Sequence, residues 1–193
     1  MLFAEAAATL ADGEWAEMQR TGDPLLSVTD YHRIVEAKTA RLFSTASALG
    51  ALAARTSPDV VRAATRAGHA AGIAFQIVDD LLDLVGDERD LGKTPGTDLR
   101  ARKCTLPLIY ARQVCAAPER ARLDAIVRGE RVVDDGELGF VRELVIETGA
   151  AERCRARARA LLERSERDLA RLPDREGAAL LAEIHRRCVE RDR

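Results

Sequence analysis

Apolar and small residues recur three and four positions apart along almost the whole chain, the spacing of helices that pack along one face. Turn formers interrupt this rhythm and divide the chain into a succession of expected helices. The first runs from about Leu2 to Arg20 and stops at Thr21-Gly22-Asp23-Pro24. A second starts behind the capping oxygens of Ser27 to Asp30 and continues to about Arg55. Ser57-Pro58 then supplies an N-cap and a first-turn proline for a long third helix reaching about Leu84. Gly86 to Lys103, rich in Gly, Asp, Lys and Thr with Pro95, is too polar and interrupted for regular structure and too long for an ordinary connection. Further helices are expected at about Leu106 to Cys115, Pro118 to Arg128, Glu137 to Thr148, Ala150 to Arg171 and Glu176 to Arg191. The fold class is therefore all-α.

Within the third helix, Val61, Ala64, Gly68, Ala71, Phe75, Val78 and Leu82 make one packed stripe. One step around the cylinder, Gln76, Asp79, Asp80 and Asp83 gather at the C-terminal end, with Asp79 and Asp83 a turn apart. Like charges at that spacing repel, and carboxylates near a helix C-terminus oppose the helix dipole. Something must offset this. Magnesium does so through hard oxygen ligands while leaving positions for water and substrate phosphates, which points to a diphosphate ester. A solvated acidic helix face has the same sequence appearance.

Composition narrows the function classes. The 193 residues, 47% of them hydrophobic and 32% charged, can bury the core of one domain, although the aromatic fraction of 4% leaves that core to Ala, Leu, Val and Ile. A formal net charge of -2 lacks the basic footprint of a nucleic-acid binder, so no nucleic-acid partner is expected. Charged residues interrupt every apolar run, so no integral membrane segment is expected, and a cytoplasmic location fits. Cys104, Cys115, Cys154 and Cys188 are too dispersed for a zinc site or a disulfide scaffold. Trp15 reads as a packing residue, His32 and His185 have no partner legible in the sequence, and His69, two turns up on the helix side of Gln76 and Asp83, reads as a packed or exposed histidine rather than a ligand or base.

Lys93 in LGKTPGTDL, Lys103 in RKCTLP and the Lys38-Thr39 pair could reach the phosphate end of a magnesium-bound substrate. Gly92 and Gly96 would let the loop backbone approach an anion. With these residues in place, the chain resembles the trans-isoprenyl diphosphate synthases, the polyprenyl synthetase family. FQIVDDLLD, Phe75 to Asp83, resembles the family's second aspartate-rich motif, and LGKTPGTDLRARKCTLPLIYA is similar to the loop that follows it. EAKTARLF resembles the upstream Lys-Thr helix, GEWAEM the Gly-Glu helix, and VERDR the C-termini of bacterial octaprenyl-type synthases.

The resemblance implies a helical bundle of the isoprenyl diphosphate synthase type, here lacking the N-terminal helices, with residues 1–193 as the C-terminal portion of the family domain. It assigns Asp79, Asp80 and Asp83 to Mg2+ and implies that Lys38, Thr39, Gln76, Lys93 and Lys103 hold or flank an allylic diphosphate. Asp79, Asp80 and Lys93 would act in catalysis. The implied reaction is prenyl transfer, elongating that diphosphate with isopentenyl diphosphate in isoprenoid biosynthesis. The chain departs from the family pattern in carrying a single Asp-rich motif, since Asp134-Asp135 is followed by GELG. The alternative expectation is therefore an accessory or inactive chain that pairs with a complete synthase. Either way a homo-oligomer or a partner subunit is expected. Where the family usually has Glu-Gly-Lys, this chain has Ala101-Arg102-Lys103, and an arginine does not easily take a glycine's positive φ.

Overall fold

The computed structural model describes residues 1–86 and 95–190, and among them every regular element is helical. The elements are α1 (Leu2–Gln19), α2 (Val28–Val35), a π-helical turn (Glu36–Ala40), α3 (Arg41–Ala53), α4 (Pro58–Val85) and α5 (Thr97–Arg100). They continue with α6 (Leu106–Val114), α7 (Ala117–Arg128), α8 (Asp135–Glu147), α9 (Ala150–Leu169) and α10 (Arg175–Val189). The expected all-α class and the main helices are present. The chain divides into two compact units, described in turn: the first holds Met1–Trp15, His32–Gln76 and the described residues from Arg157 onward, the second Ala16–Tyr31 and those of Ile77–Ala156.

Close helix approach through glycine shapes the first unit. A Cβ on Gly13 of α1 would stand 2.7 Å from the Lys38 amide nitrogen, and one on Gly72 of α4 would stand 2.7 Å from Ala40 Cα and 3.0 Å from Phe43 Cβ. Both the turn and the start of α3 are thus packed backbone to backbone. Ala63, Ala67, Ala70 and Ala74 are buried along with Ala64 and Ala71, so α4 is covered over much more of its circumference than the single stripe expected from the sequence. Small side chains allow this because they let neighbours approach from several sides. Ala71, Gly72 and Ala74 thereby serve packing. Trp15, expected to pack, is 62% exposed. It follows Gly13 by two residues, roughly 200° around α1 from the face that meets the turn.

His185 of α10 is buried, and its Nδ1 lies 2.8 Å from Ser165 Oγ on α9. Arg66 holds Asp168 through Nε at 3.1 Å and a second nitrogen at 2.8 Å. An apolar cavity of about 660 Å³ lies in this unit, lined by Leu42, Phe43, Val60, Leu172 and Ile184 among others.

In the second unit, Leu84, Leu99, Leu106, Leu108, Leu123, Ile126 and Val141 form the core. Buried Glu137 accepts from Arg122 (2.9 Å) and Arg131 (2.6 Å), and Arg112 grips Asp124 at 2.6 and 2.9 Å. Asp134 caps α8 by accepting from the Glu137 amide at 2.8 Å. No disulfide links the cysteines among the described residues, and burial pushes the Cys104 and Cys154 thiols up to about 12. No helix among the described residues is long and apolar enough to cross a membrane.

Two stability predictions follow from this packing. Gly72→Ala should lower the unfolding free energy by roughly 1–3 kcal/mol in urea titrations, because backbone and an aromatic ring must retreat. For His185, burial lowers the pKa below the ordinary 6.5. Above that pH both folded and unfolded states carry a neutral ring. As pH falls through it, the unfolded chain takes up a proton that the buried ring refuses, so stability is lost toward the ring's own lowered value. The wild type should lose more stability than His185→Gln between about pH 6.5 and 5, and equal losses in the two proteins would refute this assignment.

Candidate active site

The sequence places the chemistry on the segments around α4, beginning in the first unit with Lys38 and Thr39. Both lie in the π-helical turn, where the Arg41 amide reaches back five residues to the Glu36 carbonyl. Such turns insert one residue into a helix and often mark functional positions. Thr39 Oγ1 donates to Gln76 Oε1 at 2.7 Å, joining two of the expected residues. Lys38 Nζ stands 3.3 Å from Glu14 Oε1. Phe43 and Phe75, each next to or a turn beyond these groups, pack with ring centroids 5.4 Å apart. His69 pairs with Glu36 at 2.8 Å.

The second unit holds the aspartates at the end of α4. Asp79 is half-buried and carries no protein partner among the described residues. Asp80 is 4% exposed, and its Oδ2 accepts a 2.6 Å hydrogen bond from the Tyr31 hydroxyl. Burial, and then the charge of Asp80, raise the Tyr31 pKa well above the ordinary phenol value, so the hydroxyl keeps its proton and donates. Asp83 is fully buried, its Oδ2 accepting from the Asp98 amide at 2.9 Å and its carbonyl from the Gly96 amide at 2.6 Å. It thereby anchors α5, a short helix inside a stretch the sequence read as irregular. Arg142 of α8 donates to the Leu84 carbonyl at 2.9 Å and to that of Gly86 at 3.4 Å, placing a cation at the negative end of the α4 dipole.

Lys103 lies 2.9 Å from Glu17 and 3.4 Å from Asp98. Burial lowers its pKa, but the hydrogen bond and charge of Glu17, followed by those of Asp98, outweigh that and leave the ammonium above the ordinary lysine value. Burial raises the Asp98 pKa against the pull of Lys103, with the charge of Asp83 adding to the rise. Lys93 falls outside the described residues. Among the described residues no three His, Cys, Asp or Glu side chains form a ready-made metal cluster.

This order of Lys-Thr turn, Asp-rich helix end and lysine-bearing loop can now be set beside known proteins. The family model described as Polyprenyl synthetase matches residues 1–144. The chain belongs to the polyprenyl synthetase family. It is 32% identical over 183 residues to a nonaprenyl diphosphate synthase of Mycobacterium tuberculosis, covering 95% of this chain and 54% of that protein. The crystal structure of a decaprenyl diphosphate synthase from Rhodobacter capsulatus matches with a TM-score of 0.91 and 34% identity, over 100% of this chain and 59% of the other. A geranylgeranyl pyrophosphate synthase from Corynebacterium glutamicum, complexed with isoprenyl diphosphate and magnesium, matches with a TM-score of 0.90 and 28% identity, over 98% of this chain and 54% of that one. The chain thus spans little more than half the length of these relatives.

Within this polyprenyl synthetase chain, Arg102 does take the left-handed conformation, with φ of 58°. Its carbonyl accepts from the Gly22 amide at 2.9 Å, and its side chain lies against Gly129. These contacts hold the residue before Lys103 in a glycine-like shape despite its Cβ. Tyr31, Glu17, Asp98 and Arg142 were missed by sequence reasoning. Asp98, inside the loop segment GTDL, and Glu17, inside GEWAEM, lay in stretches the sequence had marked. Arg102→Gly should raise stability by roughly 0.5–1 kcal/mol, read from the urea midpoint, with the Lys103 contacts retained.

Proposed function

We propose that this chain acts in prenyl transfer, elongating an allylic diphosphate with isopentenyl diphosphate and using magnesium. The observation that carries the reading is the carboxylate group at the end of α4, with half-buried Asp79 beside Asp80, which Tyr31 holds, and Asp83, which is tied to the following loop. The magnesium and isoprenyl diphosphate in the C. glutamicum relative support it. The donor set fits such an ion, since all its oxygens are hard carboxylate donors and magnesium binds through one or two of them while keeping water and phosphate ligands. Asp79, Asp80 and Asp83 would hold it. When bound, it would neutralise negative charge on the departing diphosphate.

The remaining residues have roles of their own in this reading. The family resemblance assigns Lys38, Lys93 and Lys103 to the flanks of the diphosphate, with Lys103 held charged by Glu17 and Asp98, and gives Thr39 and Gln76 the hydrogen bonds that would orient it. The allylic C–O bond ionises, the alkene of isopentenyl diphosphate attacks the cation, and proton loss leaves a chain longer by one isoprene unit. The apolar cavity of about 660 Å³, which begins at Leu42 and Phe43 on the helical run that follows Thr39, would offer an apolar wall to an isoprenoid tail. Exposed Phe3 and Trp15 on α1, 70% and 62% accessible, favour self-association or a partner subunit in the same reading.

A second reading is an accessory chain that pairs with a complete synthase. Incorporation of labelled isopentenyl diphosphate into an allylic primer separates the two. The first reading expects incorporation that requires magnesium and falls about a hundredfold or more in Asp79→Asn. Folded chain that incorporates nothing alone, but changes the rate of a complete synthase on mixing, would establish the second.

A further inference from the structure

We infer that Tyr31 is a positioning residue that sets the orientation in which the Asp80 carboxylate meets a divalent cation, an inference that rests on the proposed role of Asp80 as a metal ligand. The two side chains are 49 residues apart in sequence and both 4% exposed, yet the hydroxyl lies 2.6 Å from Oδ2. The terminal torsion of an aspartate is broad and roughly two-fold, so a carboxylate with no fixed donor samples many orientations. A buried O–H donor narrows that freedom, and burial keeps water from taking its place.

Tyr31 is itself firmly placed. Its amide donates to the Ser27 carbonyl at 2.9 Å, and Ser27 Oγ accepts from the Asp30 amide at 3.0 Å, so the first turn of α2 is capped where the ring departs. Phenylalanine would fill the same volume. The hydroxyl is what ties the ring to the aspartate next to Asp79 in the sequence. Hydrogen bonds that orient metal ligands in this way are typically worth 10–100-fold in metal affinity.

The test measures Mn2+ binding by electron paramagnetic resonance with inorganic pyrophosphate present, in the full chain and without turnover. It compares wild type, Tyr31→Phe, Asp80→Asn and the double variant, each shown by circular dichroism to be folded. Tyr31→Phe should weaken Mn2+ binding about tenfold, with no further loss when added to Asp80→Asn. Replacement of Tyr31 by 4-aminophenylalanine, which keeps an N–H donor at the same ring position, should restore most of the affinity. Wild-type binding by Tyr31→Phe, or the same loss in both backgrounds, would make the tyrosine structural only and overturn the inference. Unchanged binding in Asp80→Asn would instead remove Asp80 from the metal site, and with it the reading on which the inference rests.

Discussion

Burial of carboxylates at the negative end of a helix dipole is the constraint on which the second unit depends. Asp80 and Asp83 are 4% and 0% exposed, and an unpartnered buried carboxylate costs several kcal/mol, more than the net gain from most single hydrogen bonds. Their partners are therefore structural necessities whatever else they do. Each partner also fixes an element: the Tyr31 hydroxyl ties down α2, the Asp98 amide begins α5, and Arg142 of α8 takes the carbonyls at the end of α4. The folding requirement and the chemistry proposed for the site would use the same contacts.

The first unit meets a different demand, close approach between helix backbones. Gly13 and Gly72 remove the side chains that would hold α1 and α4 away from the segment carrying Lys38 and Thr39. Thr39 can then reach Gln76 at 2.7 Å. Thr39, Gln76, Asp79, Asp80 and Asp83 sit on packed helices, which hold geometry better than loops do, whereas Lys103 follows α5 outside any helix and is held by its ion pairs with Glu17 and Asp98.

Much of this was legible from spacing. The helix start at Ser57-Pro58 was marked by local chemistry, and the Asp-rich turn stood out because like charges so close require an explanation. The π-helical turn was not legible, because Glu36 to Ala40 has ordinary helix-forming composition and its extra residue is enforced by helices packed on it. Tyr31, Glu17 and Arg142 escaped for a related reason. Their partners lie 49, 86 and 58 positions away in sequence, and no local pattern encodes a contact of that range. Trp15 was misjudged because an aromatic residue in an amphipathic helix reads as core, whereas the inward face of α1 is set by Ala6 and Gly13.

The π-helical turn takes up one residue more than a regular helix would need over the same rotation, and so keeps the facing of α3. A regular α-helix advances about 100° per residue, so the extra residue without the wider turn would rotate all of α3 by that angle and swing Phe43 and Ser47 away from the glycines of α4 that now receive them. Removing one residue between Glu36 and Ala40 would return the stretch to regular helix and leave α3 facing as it does, whereas a further insertion would find the slack already used. Sequence drift can thus shorten this stretch by one residue far more easily than it can lengthen it.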